Sequence, residues 1–273
     1  MAAPWLRPRG EVFAKREGCG YFRPMKRNHH RLVLTLLALG LNLLFCAPLR
    51  AAQPQEQEQE QVLDAGAFDR QERHGHSCAI TFDDGPGKHT ARLLDLLKAR
   101  GIHATFFVLG ENVAKEPDLV RRMAAEGHEV DNHSFDHPKL RSLPPERQRE
   151  EIGRTEQLLK NLGITPKFFR PPYGSYNAET MRDAAQDNLV LALWSVDSLD
   201  WKYRTIKDIE ARILPKGPAM ARGIFLFHDI HATTVDAMPD ILDKLAQRGC
   251  TFVTLSQWLA LHPDAARQRE AGR

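Results

Sequence analysis

CAITFDDGPGKHTARLLDLLKARGIHATFFVL, residues 78–109, holds one complete strand–helix–strand unit. The apolar run 79–82 gives way to Asp83-Asp84-Gly85-Pro86, residue types that set tight turns. Leu93, Leu94, Leu96 and Leu97 then recur at helical spacing across 90–100, and Gly101 supplies a stop. A second apolar run, 105–109, follows. Two strands joined through a helix predict a parallel pairing.

Outward from this unit the alternation continues. Strands are predicted at 129–132, 167–170, 190–196, 224–227 and 251–255, with helices at 118–126, 145–162, 177–187, 205–214 and 235–248. Regular β/α alternation argues for an α/β domain with a parallel sheet covered by helices. About seven repeats of the unit suggest a (β/α) barrel, with incomplete closure allowed, rather than an open sheet. A single domain is expected over 76–262, with a polar tail at 263–273 and no internal repeat.

The N-terminal part reads differently. Lys26, Arg27, His29, His30 and Arg31 precede the apolar stretch 32–45, and Ala51 and Ala52 follow. That order describes a secretory signal peptide, so 1–52 is read as an N-terminal extension plus signal, with Met25 as the expected true start. The stretch is short for a span of ~20 residues, so export to the periplasm or beyond is expected, with an uncleaved anchor as the alternative. A lipoprotein at Cys46 is disfavoured by the bulky Phe45 before it. Residues 53–75 open with QPQEQEQEQ and read as a disordered linker. The net charge of +3 is partly carried by the removable segment, which leaves no basic face for nucleic acid. Cys78 and Cys250 remain after export; a disulfide is open, and two unpaired buried thiols are the preferred reading. No cysteine metal spacing exists.

In a barrel the chemistry belongs at the C-terminal ends of strands, and five polar clusters fall there: TFDDGP (81–86), HSFDH (133–137), FRPPYG (169–174), VDSLDW (196–201) and LFHDIH (226–231). Taken singly, each has a bland reading as turn, rigid loop or core. His133 and His137, four apart, can reach one ion, and Asp84 would complete a three-ligand set with an open position. Arg170 needs an anionic partner, for which Asp83 is available. His228 is a candidate acid.

Together and in this order, the five motifs resemble the NodB-homology polysaccharide deacetylases, carbohydrate esterase family 4, over about residues 76–260. The resemblance implies a distorted (β/α) barrel and a metal-dependent hydrolase that removes N-acetyl groups from an N-acetylglucosamine polymer, either peptidoglycan or chitin-like. It implies Asp83 as general base, Arg170 as its orienter, and Asp84, His133 and His137 as ligands of a divalent ion, zinc most often, with cobalt or another ion possible. It further implies Tyr173 as a backbone oxyanion donor, Asp200 as the partner that tunes the acid His228, and Trp201 and Leu226 as walls around the acetyl methyl. Asp131 departs from the family, where glycine is common, and places an extra acid beside the expected metal site. The expected partner is polysaccharide, with no nucleic acid, no membrane span after cleavage, and a monomeric chain. An O-deacetylase of acetylated xylan and a non-catalytic carbohydrate-binding module are the competing readings.

Overall fold

The computed structural model describes residues 61–63, 76–214, 216 and 219–268. The signal-peptide reading, the Met25 start and most of the linker lie outside the described residues. Among the described residues no helix is long and apolar enough to cross a membrane.

The elements in chain order are β1 (Gln61–Leu63), β2 (Ser77–Asp83), α1 (Thr90–Arg100), β3 (Thr105–Val108), α2 (Gly110–Lys115), α3 (Pro117–Ala125), β4 (Glu129–Asn132) and α4 (Pro145–Asn161). There follow β5 (Phe168–Phe169), α5 (Ala178–Gln186), β6 (Val190–Ala192), β7 (Val196–Asp197), α6 (Ile206–Ile213), β8 (Gly223–His228), α7 (Ala232–Gln247), β9 (Thr251–Val253), α8 (Leu255–Leu261) and β10 (Ala266–Gln268). The predicted helix 90–100 forms with those bounds, and Gly101 ends it at φ 62°, the left-handed position that glycine occupies without strain.

The strands form one sheet ordered β10-β1-β6-β5-β4-β3-β2-β8-β7, with β9 pairing the start of β2. All ladders are parallel except β1–β10. The predicted strand 190–196 is two strands, and this split explains the shape. β6 pairs β5, whereas β7 pairs β8, six strand positions away along the sheet. Laid flat, that separation would be about 29 Å at ~4.8 Å per strand. The chain from Ala192 to Val196 can span only about 14 Å. The sheet must therefore curl, and residues 193–195 close the circle where no ladder does. With β6 and β7 counted as one interrupted strand, the expected seven parallel strands of a distorted (β/α) barrel are all present.

Alternation along the strands sorts the side chains. Ile80, Phe82, Phe106, Val108, Phe225 and Phe227 pack outward beneath Leu93, Leu94 and Leu97 of α1 and Met238, Ile241 and Leu245 of α7. Ala79, Phe107, Phe168, Ala192 and Ile224 pack together on the other face, with Leu255 and Trp258 of α8. Successive side chains point to opposite faces of a strand, so Ala79–Thr81–Asp83, Phe168–Arg170 and Ile224–Leu226–His228 are inward columns whose last members reach the C-terminal rim.

Several expectations are corrected. Cys78 and Cys250 are joined by a disulfide, with Cα atoms 5.8 Å apart, so the preferred reading of two free thiols does not hold; parallel pairing of β2 with β9 sets Cys78 opposite Phe252 and brings the two cysteines close. Short strands fall outside the predicted domain: Gln61–Leu63 in the linker stretch and Ala266–Gln268 in the tail, paired with each other. The strand predicted to 255 stops at Val253, because Thr254 and Gln257 form a capping box that starts α8. Asp131 is not beside the metal-ligand candidates. Its Oδ1 accepts the N–H groups of Lys167 and Phe168 at 2.8 and 3.0 Å, so it anchors the start of β5 one layer below the rim. Burial, helped by Glu129, pushes its carboxyl well above the usual range against the pull of those N–H groups.

Candidate active site at the barrel rim

The turn after β2 carries both acids. Asp84 takes φ 71°, and its carbonyl accepts from Asn112 Nδ2 at 2.8 Å while Leu109 N–H bonds the Gly85 carbonyl at 3.0 Å. Gly85 is required by space, not by its own torsion: a Cβ there would lie 2.5 Å from Oδ1 of the fully buried Asp229. Thr90, at the start of α1, accepts from Gly87 N–H at 2.8 Å and donates to Asp229 Oδ2. The β2 and β8 ends are thereby locked together.

Asp84, His133 and His137 each present one donor atom, all within 4.8 Å of one another. Asp84 Oδ1 lies 3.4 Å from His133 Nε2 and 3.3 Å from His137 Nε2. The fit to a divalent cation shows in the protonation pattern. His133 Nδ1 sits 2.7 Å from the Arg170 carbonyl, which can only accept; Nδ1 therefore carries a proton, and Nε2 is the nitrogen turned toward the site. For His137, burial and the neighbouring His133 lower the pKa against the pull of Asp84 and Asp83, so it gives up its proton more readily than an ordinary imidazole. Burial works against ionised Asp84, but His133, His228 and His137 outweigh it and hold the carboxyl below the usual range. Asp84 Oδ1 is buried with no hydrogen-bond partner, as expected of an oxygen whose partner is an ion.

Beside this set, Asp83 is buried and its Oδ1 accepts from Arg170 Nη1 at 2.7 Å. Its Oδ2 faces His133 Nε2 at 3.7 Å. Arg170 has no exposed surface, also bonds Thr81 Oγ1 at 2.7 Å, and lies 4.0 Å over the Phe107 ring. Across the site, His228 Nδ1 meets Asp200 Oδ1 at 2.6 Å, and Asp200 Oδ2 accepts from His228 N–H and from Thr234, each at 2.8 Å. Burial opposes the imidazolium, but Asp200, then Asp83 and Asp84, outweigh it and raise the His228 pKa to about 9. Its Nε2 points toward Asp84 Oδ2, 3.9 Å away.

These groups open into one cavity of about 400 Å³, which Tyr173, Trp201 and Leu226 also line. Tyr173 adopts φ 59° in the first turn of a short 3-10 helix, Pro172–Gly174, where backbone N–H groups lack intrahelical acceptors. Its ring packs edge-on against His137 at 4.5 Å. Leu226 is a buried floor and Trp201 a half-exposed wall. All ten residues singled out in sequence thus gather at the rim, with Arg170 and Asp200 behind the groups that face the cavity. Trp194 and Asp197 also line it, and neither was singled out. The i, i+2 step from inward Ala192 would have found Trp194; Asp197 had only its place in VDSLDW. Among the described residues six non-glycines have positive φ, and four of them, Asp84, Ser134, His137 and Tyr173, belong to the site, where such strain commonly concentrates.

Comparison with known proteins agrees with this geometry. The family model for polysaccharide deacetylase matches residues 70–192. A peptidoglycan-N-acetylglucosamine deacetylase of Bacillus cereus is 39% identical over 183 residues, covering 65% of this chain and 66% of that protein, just under two thirds of its length. A chitooligosaccharide deacetylase of Rhizobium leguminosarum bv. trifolii is 35% identical over 203 residues, covering 73% of this chain and 87% of the relative. Among solved structures, the peptidoglycan deacetylase PdaC from Bacillus subtilis superposes with a TM-score of 0.64 at 39% identity, covering 70% of this chain and 93% of that one. At this identity and coverage, the chain belongs to the polysaccharide deacetylase family.

Proposed function

We propose that the chain is a divalent-metal-dependent hydrolase that removes N-acetyl groups from an N-acetylglucosamine-containing polysaccharide, releasing acetate. The observation that carries it is the convergence of three sets on one cavity: Asp84/His133/His137, Asp83 backed by Arg170, and His228 backed by Asp200. Asp84, His133 and His137 hold the ion, with zinc as our choice for its imidazole-rich ligand set. When bound, such an ion supplies Lewis acidity toward a carbonyl oxygen and makes water more acidic.

The side chains divide the remaining work. Asp83, with Oδ1 tied to Arg170, has Oδ2 free to take the proton of the attacking water. Tyr173 N–H faces the developing oxyanion, a contribution of about 3–4 kcal/mol for a good donor. Trp201 and Leu226, with Trp194, exclude water around the acetyl methyl. His228 donates its proton to the amine as the C–N bond breaks. An amine leaves poorly unless protonated, and a histidine held charged at neutral pH is the acid it requires. That feature favours N- over O-deacetylation, since an alkoxide depends less on the acid. We place the reaction outside the cytoplasm and expect a monomer; the basic–apolar–small order of residues 26–52 supports export.

The test is acetate release from an N-acetylglucosamine tetramer, with the protein stripped of metal and then given zinc. Release that returns with zinc and is abolished in Asp83→Asn supports the proposal. Release indifferent to both treatments overturns it.

A further inference from the structure

Two of the three metal-ligand candidates sit on a loop that holds itself through one bond, His137 N–H to Ser134 Oγ at 3.1 Å, and leaves its other N–H and carbonyl groups to outside partners. Ser134 and His137 adopt φ 72° and 64°, which costs on the order of 1–2 kcal/mol at each non-glycine residue. The surroundings must impose this shape, and one helix face supplies much of what does. Glu151 Oε2, on α4, accepts the successive N–H groups of Phe135 and Asp136 at 3.0 and 3.1 Å. One turn on, Thr155 donates to the Ser134 carbonyl at 2.8 Å. Between them, the Ile152 carbonyl accepts from Asn132 Nδ2 at 2.9 Å, and Asn132 Oδ1 takes the Ser134 N–H at 2.9 Å. From the other side, α2 gives the N–H groups of Gly110 and Glu111 to the carbonyls of Ser134 and Phe135.

Glu151 is the member of this clamp that packing does not explain. It is fully buried next to Ile152 on a helix whose other inward positions include Leu159, and a buried carboxyl costs stability unless something is gained. Its second oxygen faces Arg147 Nη2 at 3.5 Å, and it does not line the catalytic cavity.

We propose that Glu151 is a positioning residue for the metal site: its carboxylate ties two adjacent loop N–H groups and so holds His133 and His137 in register with Asp84. The proposal rests on the metal-site reading above. Gln at 151 keeps an oxygen able to accept both N–H groups, whereas Ala leaves them without a partner.

Two measurements on the full chain test it. The first is zinc affinity by chelator competition. Glu151→Ala should weaken binding ~10-fold or more, in the range seen for lost supporting partners, while Glu151→Gln stays within ~3-fold. Leu159→Ala, which removes core volume from the same helix without touching the loop, should lower Tm and leave affinity unchanged. The second is amide exchange of Phe135 and Asp136 in the metal-free protein, which should speed up in Glu151→Ala and be restored in Glu151→Gln. Should Glu151→Ala fail to fold, Thr155→Val removes the neighbouring bond and should weaken zinc binding in the same direction. Unchanged affinity and exchange in Glu151→Ala, or an equal loss in Leu159→Ala, overturns the proposal. A wild-type chain that binds no zinc, yet shows the exchange response, overturns the metal reading and leaves the loop-holding role standing.

Discussion

Replacing Asp200 with Asn removes the charge that faces His228, and the pH dependence of activity reads its effect. In the native site burial disfavours the imidazolium, yet Asp200, bonded to Nδ1 at 2.6 Å, leads the groups that raise the pKa from 6.5 to about 9. Asn has nearly the same shape, and its carbonyl oxygen can still accept from Nδ1–H, but its NH2 replaces the oxygen that accepts the His228 N–H and the Thr234 hydroxyl. The charge is lost together with one anchor, and it is the pH dependence that reports the charge. With the leading charge gone, burial is opposed by Asp83 and Asp84 alone, and the pKa falls toward the ordinary value of 6.5. The general acid works only when protonated, so activity is present below this pKa and lost as pH rises through it. At pH 8, a complete fall from about 9 to about 6.5 would take the protonated fraction from roughly 90% to roughly 3%, which sets the largest loss in kcat/KM at about 30-fold. At pH 6 the same change removes only about a quarter of the protonated form. A cation on Asp84 cancels that carboxylate's share and lowers both limits, so the separation between the two proteins is the quantity to read. The assay is acetate release from the N-acetylglucosamine tetramer across pH 5–10, with zinc content verified at each point. Coincident alkaline limbs, or a loss equal at every pH, would refute the assignment of Asp200 as the residue that keeps His228 charged.

Three further outcomes are expected. Arg170→Lys cannot reproduce the fork that joins Thr81, Asp83 and two carbonyls; kcat/KM should fall by ~100-fold or more and stability by about 3 kcal/mol, read by kinetics and urea unfolding. His137→Ala removes a half-buried ligand candidate, so the fold should persist with Tm nearly unchanged while zinc affinity drops more than ~100-fold, beyond the loss of an outer partner, measured by chelator competition. Gly85→Ala drives a methyl into the Asp229 carboxyl and should cost about 1–3 kcal/mol by urea unfolding, with activity falling as the Asp84 turn shifts.

What was legible in the sequence follows from how local each feature is. α1 could be read to the residue because Leu93, Leu94, Leu97 and Gly101 state a helix and its end without outside help. The rim could be read because each polar cluster directly follows an apolar strand. The interruption between Ala192 and Val196 could not, since residues 190–196 look like one strand and only the distant β5 and β8 decide which part pairs with which. Strands of three residues such as Gln61–Leu63 exist through their partners, and a Gln-rich stretch announces no partner. The disulfide depended on β2 and β9 being neighbours, which brings together two cysteines 172 residues apart in sequence. Asp131 misled because three-dimensional depth along an inward column is invisible in a string: two residues before His133 is one layer down, where its carboxyl serves the start of β5. The support of Glu151 for the metal loop has the same character, since nothing in PERQREEIGR marks one acid among several as the buried one.

Arg170 shows how the fold and the chemistry are tied together. A buried ion pair is a poor source of stability, because desolvating both charges consumes what their attraction returns. Thr81 and Asp83 belong to β2, whereas the two carbonyls that Arg170 also reaches, Ala192 and Leu193 at 3.3 and 3.2 Å, lie at the end of β6 and just beyond it. That is where the chain crosses the unpaired gap in the barrel. The guanidinium therefore spans the interior and bonds Ala192, the last residue of the β1–β6 ladder, and Leu193, the first residue beyond it, using donors that a lysine lacks. Its own carbonyl, meanwhile, fixes the tautomer of His133. On the proposed reading, one residue thus orients the base, turns a ligand candidate toward the site and braces the end of β6. The distortion of this barrel and the placement of its catalytic groups have a common cause, and the cost of burying the charge is offset on both counts.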